Sequence, residues 1–318
     1  MTKVSIVIVC MNNLKNLYPC LDSIRDHTSL AHETLVVAYL FSEENLGKLR
    51  QDYPWVKVVE SREIRGFSEN NNLALRQAAG EDCFVLNDDT KFDTPVIDRL
   101  VESLEKTPGA SVMSPRLLYA DGRTQSCGRP KMTTGTYLRS RFRLWHERGC
   151  KSIYMDQTGI FQTYNVVGAA FLIKTDVFRA LGFFDERYFF CPEDIALSTK
   201  ANELGYKCYV DESIHLYHLE GGTGGTASRL YPATYPAGVK GSLIFYSNGS
   251  GLKRAGLTGF ITVESILKYT YWKLLSLGNR DPGGLRAASY AHALYAIYSN
   301  KTPKELFIRY YQRIQAGR

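Results

Sequence analysis

The sequence has few of the residues that mark the special classes of protein. Its 26 glycines and 11 prolines among 318 residues are too few for a collagenous or low-complexity chain. Its seven cysteines are odd in number and scattered without a Cys-x-x-Cys pair, which argues against structural zinc and favours a reducing compartment. No Gly-x-Gly-x-x-Gly follows the first apolar run, which excludes a nicotinamide-dependent oxidoreductase.

Long uncharged stretches are also lacking. The most apolar late stretch, residues 256–275, still contains Glu264, Lys268 and Lys273, so we expect no membrane-spanning helix. The first ten residues carry one lysine and a short apolar run that Met-Asn-Asn follows, which predicts a buried strand and not an export signal. We therefore expect a cytoplasmic protein, at most peripheral on the inner face of the cell membrane.

The composition is that of an ordinary globular protein with an excess of positive charge. Hydrophobic residues make up 44% and charged residues 22%, and 39 lysines and arginines against 32 acids give a net charge of +7. This balance favours an anionic partner. Helix-turn-helix, RNP and zinc-finger spacings do not occur, and the arginine-rich segment 129–151 has no clean period, so we expect no nucleic acid partner.

Apolar runs and helical patterns alternate along the first part of the chain. Strands are predicted at Val4–Cys10, Thr34–Phe41, Val56–Val59 and Cys83–Leu86, and helices at Leu14–His27, Glu43–Tyr53 and Ser68–Ala79. This alternation predicts an α/β fold with a mixed, mostly parallel sheet flanked by helices. The sequence becomes helical and rich in tyrosine from about residue 236. We therefore predict a nucleotide-binding and catalytic domain at 1–235 and a helical extension at 236–318.

An acidic turn, Asn87-Asp88-Asp89, follows a predicted strand. Ligands of such sheets bind at the carboxyl ends of the strands, where Met11-Asn12-Asn13 also lies. Two adjacent carboxylates either face water or hold a hard cation through their oxygens. The alternative is a solvated turn in which Asp89 or Thr90 caps a helix.

A second acidic motif opens a predicted helix. Glu193 and Asp194 follow a phenylalanine-rich loop, and a carboxylate beside aromatic rings is suited to act as a general base. Acids at a helix N-terminus are also favoured for structural reasons alone.

Two histidines, His215 and His218, precede the glycine-rich run 221–225. A lone histidine is more often a packed or surface residue than a ligand. Neither residue indicates a site by itself.

Taken in order, these pieces resemble family 2 glycosyltransferases of the GT-A fold, especially bacterial rhamnosyltransferase-like members. The resemblance covers roughly residues 3 to 225. The matching segments are Val4–Asn13, Arg65–Asn72, Val85–Thr90, Val167–Lys174, Gly182–Glu186, Glu193–Leu197, Gly205-Tyr206 and His218–Gly222. Each segment is weak alone, but the ordered series is specific.

The resemblance implies an inverting transfer of a sugar from a nucleotide diphosphate. Asp194 corresponds to the catalytic base, and Glu193 would orient the acceptor. Asp89 and His218 would bind Mg2+ or Mn2+, and Gly168 and Ala169 would shape the pocket for sugar and acceptor. The residues that would contact the nucleotide are Val9, Cys10, Asn12, Asn13, Gly66, Asn72, Asn87 and Asp88.

The implied donor is a UDP- or dTDP-sugar, and the acceptor a hydroxyl of a glycan or lipid-linked saccharide in cell-surface polysaccharide synthesis. The sequence departs from the family pattern at Ala38–Glu44, which lacks the usual acid motif, and at Asn87, where an aspartate is usual. These departures motivate a second hypothesis: a catalytically silent scaffold that binds glycan or nucleotide in an assembly complex.

The segment Phe260–Ser276 is amphipathic on a helical wheel. One arc is mostly apolar, and the opposite arc contains Glu264, Ser265 and Lys268. Two interpretations follow: the helix packs on the catalytic domain or on a second subunit of a homodimer, or it rests with Trp272 on an anionic membrane surface.

Overall fold

The computed structural model describes residues 2–141, 154, 156–219, 228–277, 281 and 284–316. The chain forms two compact units. The first comprises Met1–Asp185 and Glu193–Gly221, and the second comprises Glu186–Pro192 and Gly222–Arg318. The boundary predicted from sequence at residue 235 lies within a helix of the second unit, Tyr231–Ser247.

The first unit alternates strands and helices. Its elements are β1 (Val4–Met11), α1 (Leu14–His27), β2 (His32–Tyr39), α2 (Glu43–Asp52), β3 (Lys57–Ser61), α3 (Phe67–Leu75), β4 (Asp82–Asn87), β5 (Thr90–Lys91), α4 (Val96–Lys106), β6 (Ala110–Leu118), β7 (Gly128–Arg129), α5 (Thr134–Arg141), β8 (Ile160–Thr163), β9 (Asn165–Val166), β10 (Ala170–Lys174), α6 (Thr175–Ala180), α7 (Glu193–Glu203) and β11 (Lys207–His218). The helix at Leu14–His27 has the bounds expected from its sequence.

Nine of the described strands form one mixed sheet in the order β3-β2-β1-β4-β10-β6-β11-β5, with β8 paired to β11. Strands β1 to β4 run parallel, as does β11 beside β6, whereas β10 is antiparallel to both neighbours. Alternate residues of β1 enter different cores: Ile6 and Ile8 pack in one cluster and Val7 in the other. The predicted α/β fold with helices on both faces of the sheet is confirmed.

Part of the arginine-rich segment 129–151 forms regular structure, although its sequence has no clean period. Arg129 belongs to β7, which pairs with β9, and Thr134–Arg141 forms α5. Its remaining basic residues, from Arg143 to Lys151, lie outside the described residues.

The buried carboxyl of Asp82, at the start of β4, makes the stability of the protein depend on pH. Burial raises the pKa of Asp82 to about 6; Glu105 and Glu81 act in the same direction, whereas Lys3 and Lys174 act against it. The folded protein therefore binds more protons than the unfolded chain between about pH 4 and pH 6, so stability falls as pH rises through this window.

We expect Asp82→Asn to raise the free energy of unfolding by ~2 kcal/mol above pH 6, because an amide cannot ionise, and to have little effect below pH 4. Urea unfolding of both proteins at pH 4 and pH 8 measures the difference. An equal effect at the two pH values would show that ionisation of Asp82 is not its cause.

The second unit is helical, as expected from its sequence. Its helices are α8 (Tyr231–Ser247), α9 (Gly251–Leu277), α10 (Leu285–Tyr298) and α11 (Pro303–Ala316). The loop Glu186–Pro192 belongs to this unit, and its Phe189 ring lies 4.5 Å from the ring of Phe307. The buried Lys240 ammonium donates to the carbonyls of Ala296 and Ser299 at the end of α10, where a cation is favoured by the helix dipole.

Candidate functional site

The acidic turn lies where three strands of the sheet end together. β1 and β4 are paired in parallel with Val9 opposite Asn87, so their carboxyl ends meet at the same edge. β5 follows the turn and pairs with the end of β11, which places His218 opposite Thr90. The backbone N–H of Leu219 also donates to the carbonyl of Asp89 at 2.9 Å. The fold therefore brings together Asp89 and His218, which lie far apart in the sequence.

The imidazole of His218 is held in a defined orientation by Gln125. The Nε2 of Gln125 donates to the carbonyl of His218 at 2.6 Å, which leaves its Oε1 to accept from Nδ1 of the imidazole at 2.9 Å. In the neutral ring, Nε2 then carries a lone pair. This atom lies 3.4 Å from Oδ1 of Asp89 and 3.4 Å from the amide nitrogen of Asn87.

The Oδ1 atom of Asp89 is buried and accepts no hydrogen bond. Its neighbour Asp88 is also largely enclosed: burial raises the pKa of the Asp88 carboxyl to about 6, and the charge of Asp89 adds to this effect. A buried anionic oxygen without a donor is costly unless a cation compensates it. A carboxylate oxygen that faces an imidazole lone pair is therefore a suitable half-site for a divalent cation.

The donor set fits an open metal site. Within the part of the chain that the structure describes, no three acidic, histidine or cysteine side chains converge as a closed metal cage. Mg2+ is commonly held by one or two carboxylates together with substrate phosphates and water. Asp89 with His218 matches this pattern, and the remaining positions would fall to a phosphate-bearing ligand.

Asp194 lies near the N-terminus of α7 and is held from three directions. Its Oδ2 accepts from the backbone N–H of Gly168 at 3.3 Å and from the Nη1 of Arg129 at 3.3 Å. Its Oδ1 accepts from the backbone N–H of Ile195 at 2.7 Å. The side chain of Asp194 is 14% exposed, so the carboxylate is oriented and still reachable.

Two consecutive residues connect the acidic turn to Asp194. The backbone N–H of Asn87 donates to the carbonyl of Ala169 at 2.9 Å, and the next residue back, Gly168, donates to Asp194. A Cβ at position 168 would lie 3.5 Å from the Cβ of Asp194, at ordinary van der Waals distance, so the two segments are in direct contact. Both acidic motifs therefore border one region of the first unit, which Gly168 and Ala169 line. Glu193 precedes Asp194 and is half-buried.

The residues after β1 form a polar turn beside β4. Asn12 has a positive φ of 49°, and its Oδ1 accepts from the N–H of Ser42 and the side chain of Asn45. Asn13 caps α1, and its carbonyl accepts from the thiol of Cys10, whose pKa is raised by burial. Cys10 lies near the end of β1, and Asn12 and Asn13 follow it, at the same edge of the sheet as the acidic turn.

The two remaining predicted nucleotide residues are held by local structure. Gly66 is the N-cap of α3, and its N–H donates to the Oε2 of Glu69. Asn72 is fully buried, and its amide both donates to and accepts from the backbone of Phe184, at 2.9 and 3.1 Å. The polar atoms of Asn72 are thus used inside the fold.

Two residues of the site were missed by sequence reasoning. Arg129 belongs to a basic run whose pattern is that of a solvated surface, and its position in that run was the only available signal. Gln125 has no signal in the sequence at all, because its partner His218 lies 93 residues away.

Comparison with known proteins identifies a family and several relatives. The model of glycosyl transferase family 2 matches residues 5–182. The chain is 26% identical over 233 residues to the O-antigen biosynthesis protein RfbC of Myxococcus xanthus, which covers 69% of this chain and 17% of that protein. It is 25% identical over 192 residues to N-acetylglucosaminyl-diphospho-decaprenol L-rhamnosyltransferase of Mycobacterium tuberculosis, which covers 55% of this chain and 62% of the relative. The chain thus spans less than two thirds of the length of these relatives.

Two solved structures share the fold. GalNAc-T7 with UDP, GalNAc and Mn2+ superposes with a TM-score of 0.56 at 17% identity, over 80% of this chain and 53% of that chain. The mannosyltransferase PcManGT from Pyrobaculum calidifontis, in complex with GDP-Man and Mn2+, superposes with a TM-score of 0.51 at 15% identity. This match covers 99% of this chain and 80% of that chain. Both are glycosyltransferases, and their likeness agrees with the GT-A fold expected from sequence. Because the family model matches more than half of the sequence, the chain belongs to glycosyl transferase family 2.

Proposed function

We propose that this protein is a metal-dependent, inverting glycosyltransferase that moves a sugar from a nucleotide-diphosphate donor to a hydroxyl of a glycan or lipid-linked saccharide. The observation that carries the proposal is the connection of the acidic turn at Asn87 to the Asp194 carboxylate through Ala169 and Gly168. A site for the diphosphate and a base for the acceptor would then lie on either side of one sugar.

The donor end of the site is assigned to residues at the ends of β1, β4 and β11. Asp89 and His218 would hold Mg2+ or Mn2+, and the bound cation would stabilise the charge of the departing diphosphate. The nucleotide would lie along Val9, Cys10, Asn12 and Asn13, with Asn87 and Asp88 near its ribose and phosphates and Gly66 at its far side. Complexes of fold relatives with UDP or GDP-Man and Mn2+ support this arrangement. We leave Asn72 out because its amide is engaged by Phe184.

The acceptor end is assigned to Asp194 and its neighbours. The acceptor hydroxyl gives its proton to the Asp194 carboxylate as its oxygen bonds to the anomeric carbon of the sugar. The bond from that carbon to the diphosphate oxygen breaks on the opposite face, so the configuration inverts. Glu193 would orient the acceptor, and Gly168 and Ala169 leave room for it. Arg129 would act as a positioning residue that holds the orientation of the Asp194 carboxylate.

We expect Gln125→Leu to weaken the binding of Mn2+ about 10- to 100-fold, because the imidazole of His218 would lose the acceptor that sets its tautomer. Gln125→Glu should weaken the binding less, since a carboxylate still accepts from Nδ1, although it cannot donate to the carbonyl of His218. Titration with Mn2+ in the presence of UDP, followed by the electron paramagnetic resonance of free Mn2+, measures the affinity. Equal affinities of the wild type and Gln125→Leu for Mn2+ would show that Gln125 does not contribute to the metal site.

The biological setting follows from the relatives. Proteins named for O-antigen biosynthesis and for a lipid-linked L-rhamnosyl transfer match this chain, which supports a role in cell-surface polysaccharide synthesis. Five cysteines are buried as thiols, which suits a reducing cytoplasm: Cys10, Cys20, Cys83, Cys127 and Cys208.

The proposed function is tested with a panel of UDP-, dTDP- and GDP-sugars. We expect one nucleotide to raise the melting temperature only when Mn2+ is present, since a ligand at about a hundred times its dissociation constant adds ~2.7 kcal/mol of stability. The same donor should release nucleoside diphosphate when a lipid-linked saccharide acceptor is added. Binding without release would favour the silent scaffold suggested by Ala38–Glu44, and absence of binding by every donor would contradict both functions.

A further inference from the structure

The long helix α9 packs through a different face from the one that its composition suggests. The residues buried against the other helices of the second unit are Leu257, Ile261, Glu264 and Ser265. The Glu264 carboxylate is 3% exposed and accepts from the ammonium of Lys268 at 2.5 Å. The buried face therefore combines Leu257 and Ile261 with Glu264 and Ser265, and a second, apolar arc of the helix stays exposed.

The exposed arc is a continuous apolar stripe, which we call the α9 stripe. Its members recur at helical spacing and are Val263, Ile266, Leu267, Tyr271, Leu274 and Leu277, each 48% to 83% exposed. From Val263 to Leu277 it extends about 21 Å along the helix axis. Single exposed apolar residues are ordinary, but a contiguous row of this length marks an interaction surface.

Positive charge surrounds the α9 stripe. Lys273 lies beside it on the same helix, and residues 228–318 contain 13 lysines and arginines against three acids. Two of these acids, Glu264 and Asp281, are buried within the fold, where Asp281 accepts from backbone N–H groups. Lys240 is also buried and Glu305 is exposed, so the described surface of this part of the chain carries an excess of positive charge.

We infer that the α9 stripe docks onto an anionic lipid surface, with α9 lying in the plane of the membrane. An apolar helix face between basic residues is the pattern of an interfacial helix: the apolar side chains enter the boundary of the acyl chains while lysines and arginines contact the anionic headgroups. A second protein subunit of the same charge would be repelled by this rim. Among the helices that the structure describes, none is both long and apolar enough to cross a bilayer, so this contact is peripheral.

Sedimentation of the full chain with vesicles tests the inference, and it needs no nucleotide sugar. We expect binding to phosphatidylglycerol–phosphatidylcholine vesicles, little binding to phosphatidylcholine alone, and release as ionic strength rises. Ile266→Glu combined with Leu267→Glu should lower the vesicle partition coefficient at least about tenfold. These side chains are exposed, so the melting temperature should stay unchanged.

A matched control makes the same two changes outside the α9 stripe. Ile160 and Leu204 are 47% and 55% exposed in the first unit, close to the values for Ile266 and Leu267. The pair Ile160→Glu and Leu204→Glu should leave vesicle binding within about twofold of the wild type.

Three results would overturn the inference: wild-type protein that stays in the supernatant with anionic vesicles, equal losses in the two double variants, or binding that ignores lipid charge. Sedimentation equilibrium tests the other possible occupant of the α9 stripe, which is a second copy of the chain. A wild-type dimer that Ile266→Glu with Leu267→Glu dissociates, without vesicle binding, would assign the α9 stripe to a second copy of the chain. Because donor binding is measured separately, failure here leaves the proposed transferase untouched.

Discussion

Asp194→Asn is expected to bind the nucleotide sugar and Mn2+ as the wild type does but to transfer the sugar about 10²- to 10⁴-fold more slowly. The amide keeps the size of the side chain and its contact with the N–H of Gly168, but it cannot take up the proton of the acceptor hydroxyl. The loss should therefore fall on kcat, with KM for the donor little changed. Release of nucleoside diphosphate under saturating donor measures the rate, and calorimetry measures donor affinity.

The chain offers a matched control for this substitution. Asp176 is the second residue of α6, as Asp194 is of α7, and its Oδ1 accepts from the next backbone N–H at 2.7 Å, as in Asp194. Any loss of turnover that comes only from removing an acid at a helix N-terminus should therefore also occur in Asp176→Asn. We expect Asp176→Asn to leave turnover unchanged. Normal turnover in Asp194→Asn would eliminate Asp194 as the base.

Asp89→Asn should separate metal binding from stability. We expect the calorimetric affinity for UDP-sugar or dTDP-sugar to lose its dependence on Mn2+, a decrease of at least about 100-fold in the presence of the metal. The metal-free protein should be as stable as the wild type or more so, because the buried Oδ1 of Asp89 has no hydrogen-bond donor to lose.

Asp93 supplies the control for the change in charge. It lies four residues further along and is exposed, so Asp93→Asn removes the same charge nearby without touching the proposed site. Its donor affinity should respond to Mn2+ as in the wild type. If Asp89→Asn still needs Mn2+ for full donor affinity, the metal is bound by other residues than Asp89.

How much of the site could be predicted from the sequence depends on how far apart in the sequence the interacting residues lie. Asn87-Asp88-Asp89 and Glu193-Asp194 were found because strand ends and helix starts are local patterns, and the family resemblance gave their order. The contacts that orient them span the chain: Arg129 meets Asp194 across 65 residues, and Gln125 meets His218 across 93. No local periodicity reports a pairing of this kind.

Helix α9 illustrates a second limit of prediction from sequence. The wheel correctly divides Phe260–Ser276 into an apolar and a polar arc, but it contains no information on which arc meets the rest of the protein. Here the face that is buried holds Leu257 and Ile261 together with Glu264 and Ser265, and Lys268 neutralises the Glu264 carboxylate. The orientation of an amphipathic helix is therefore a tertiary property.

The most direct test of the site is an anomalous difference map from a crystal soaked with Mn2+ and the preferred nucleotide sugar. We predict one Mn2+ peak at coordination distance from Asp89 and His218, a diphosphate bound to it, and the anomeric carbon of the sugar on the side of Asp194. A Mn2+ peak away from Asp89, or a sugar whose anomeric carbon Asp194 cannot reach through an acceptor hydroxyl, would contradict the account.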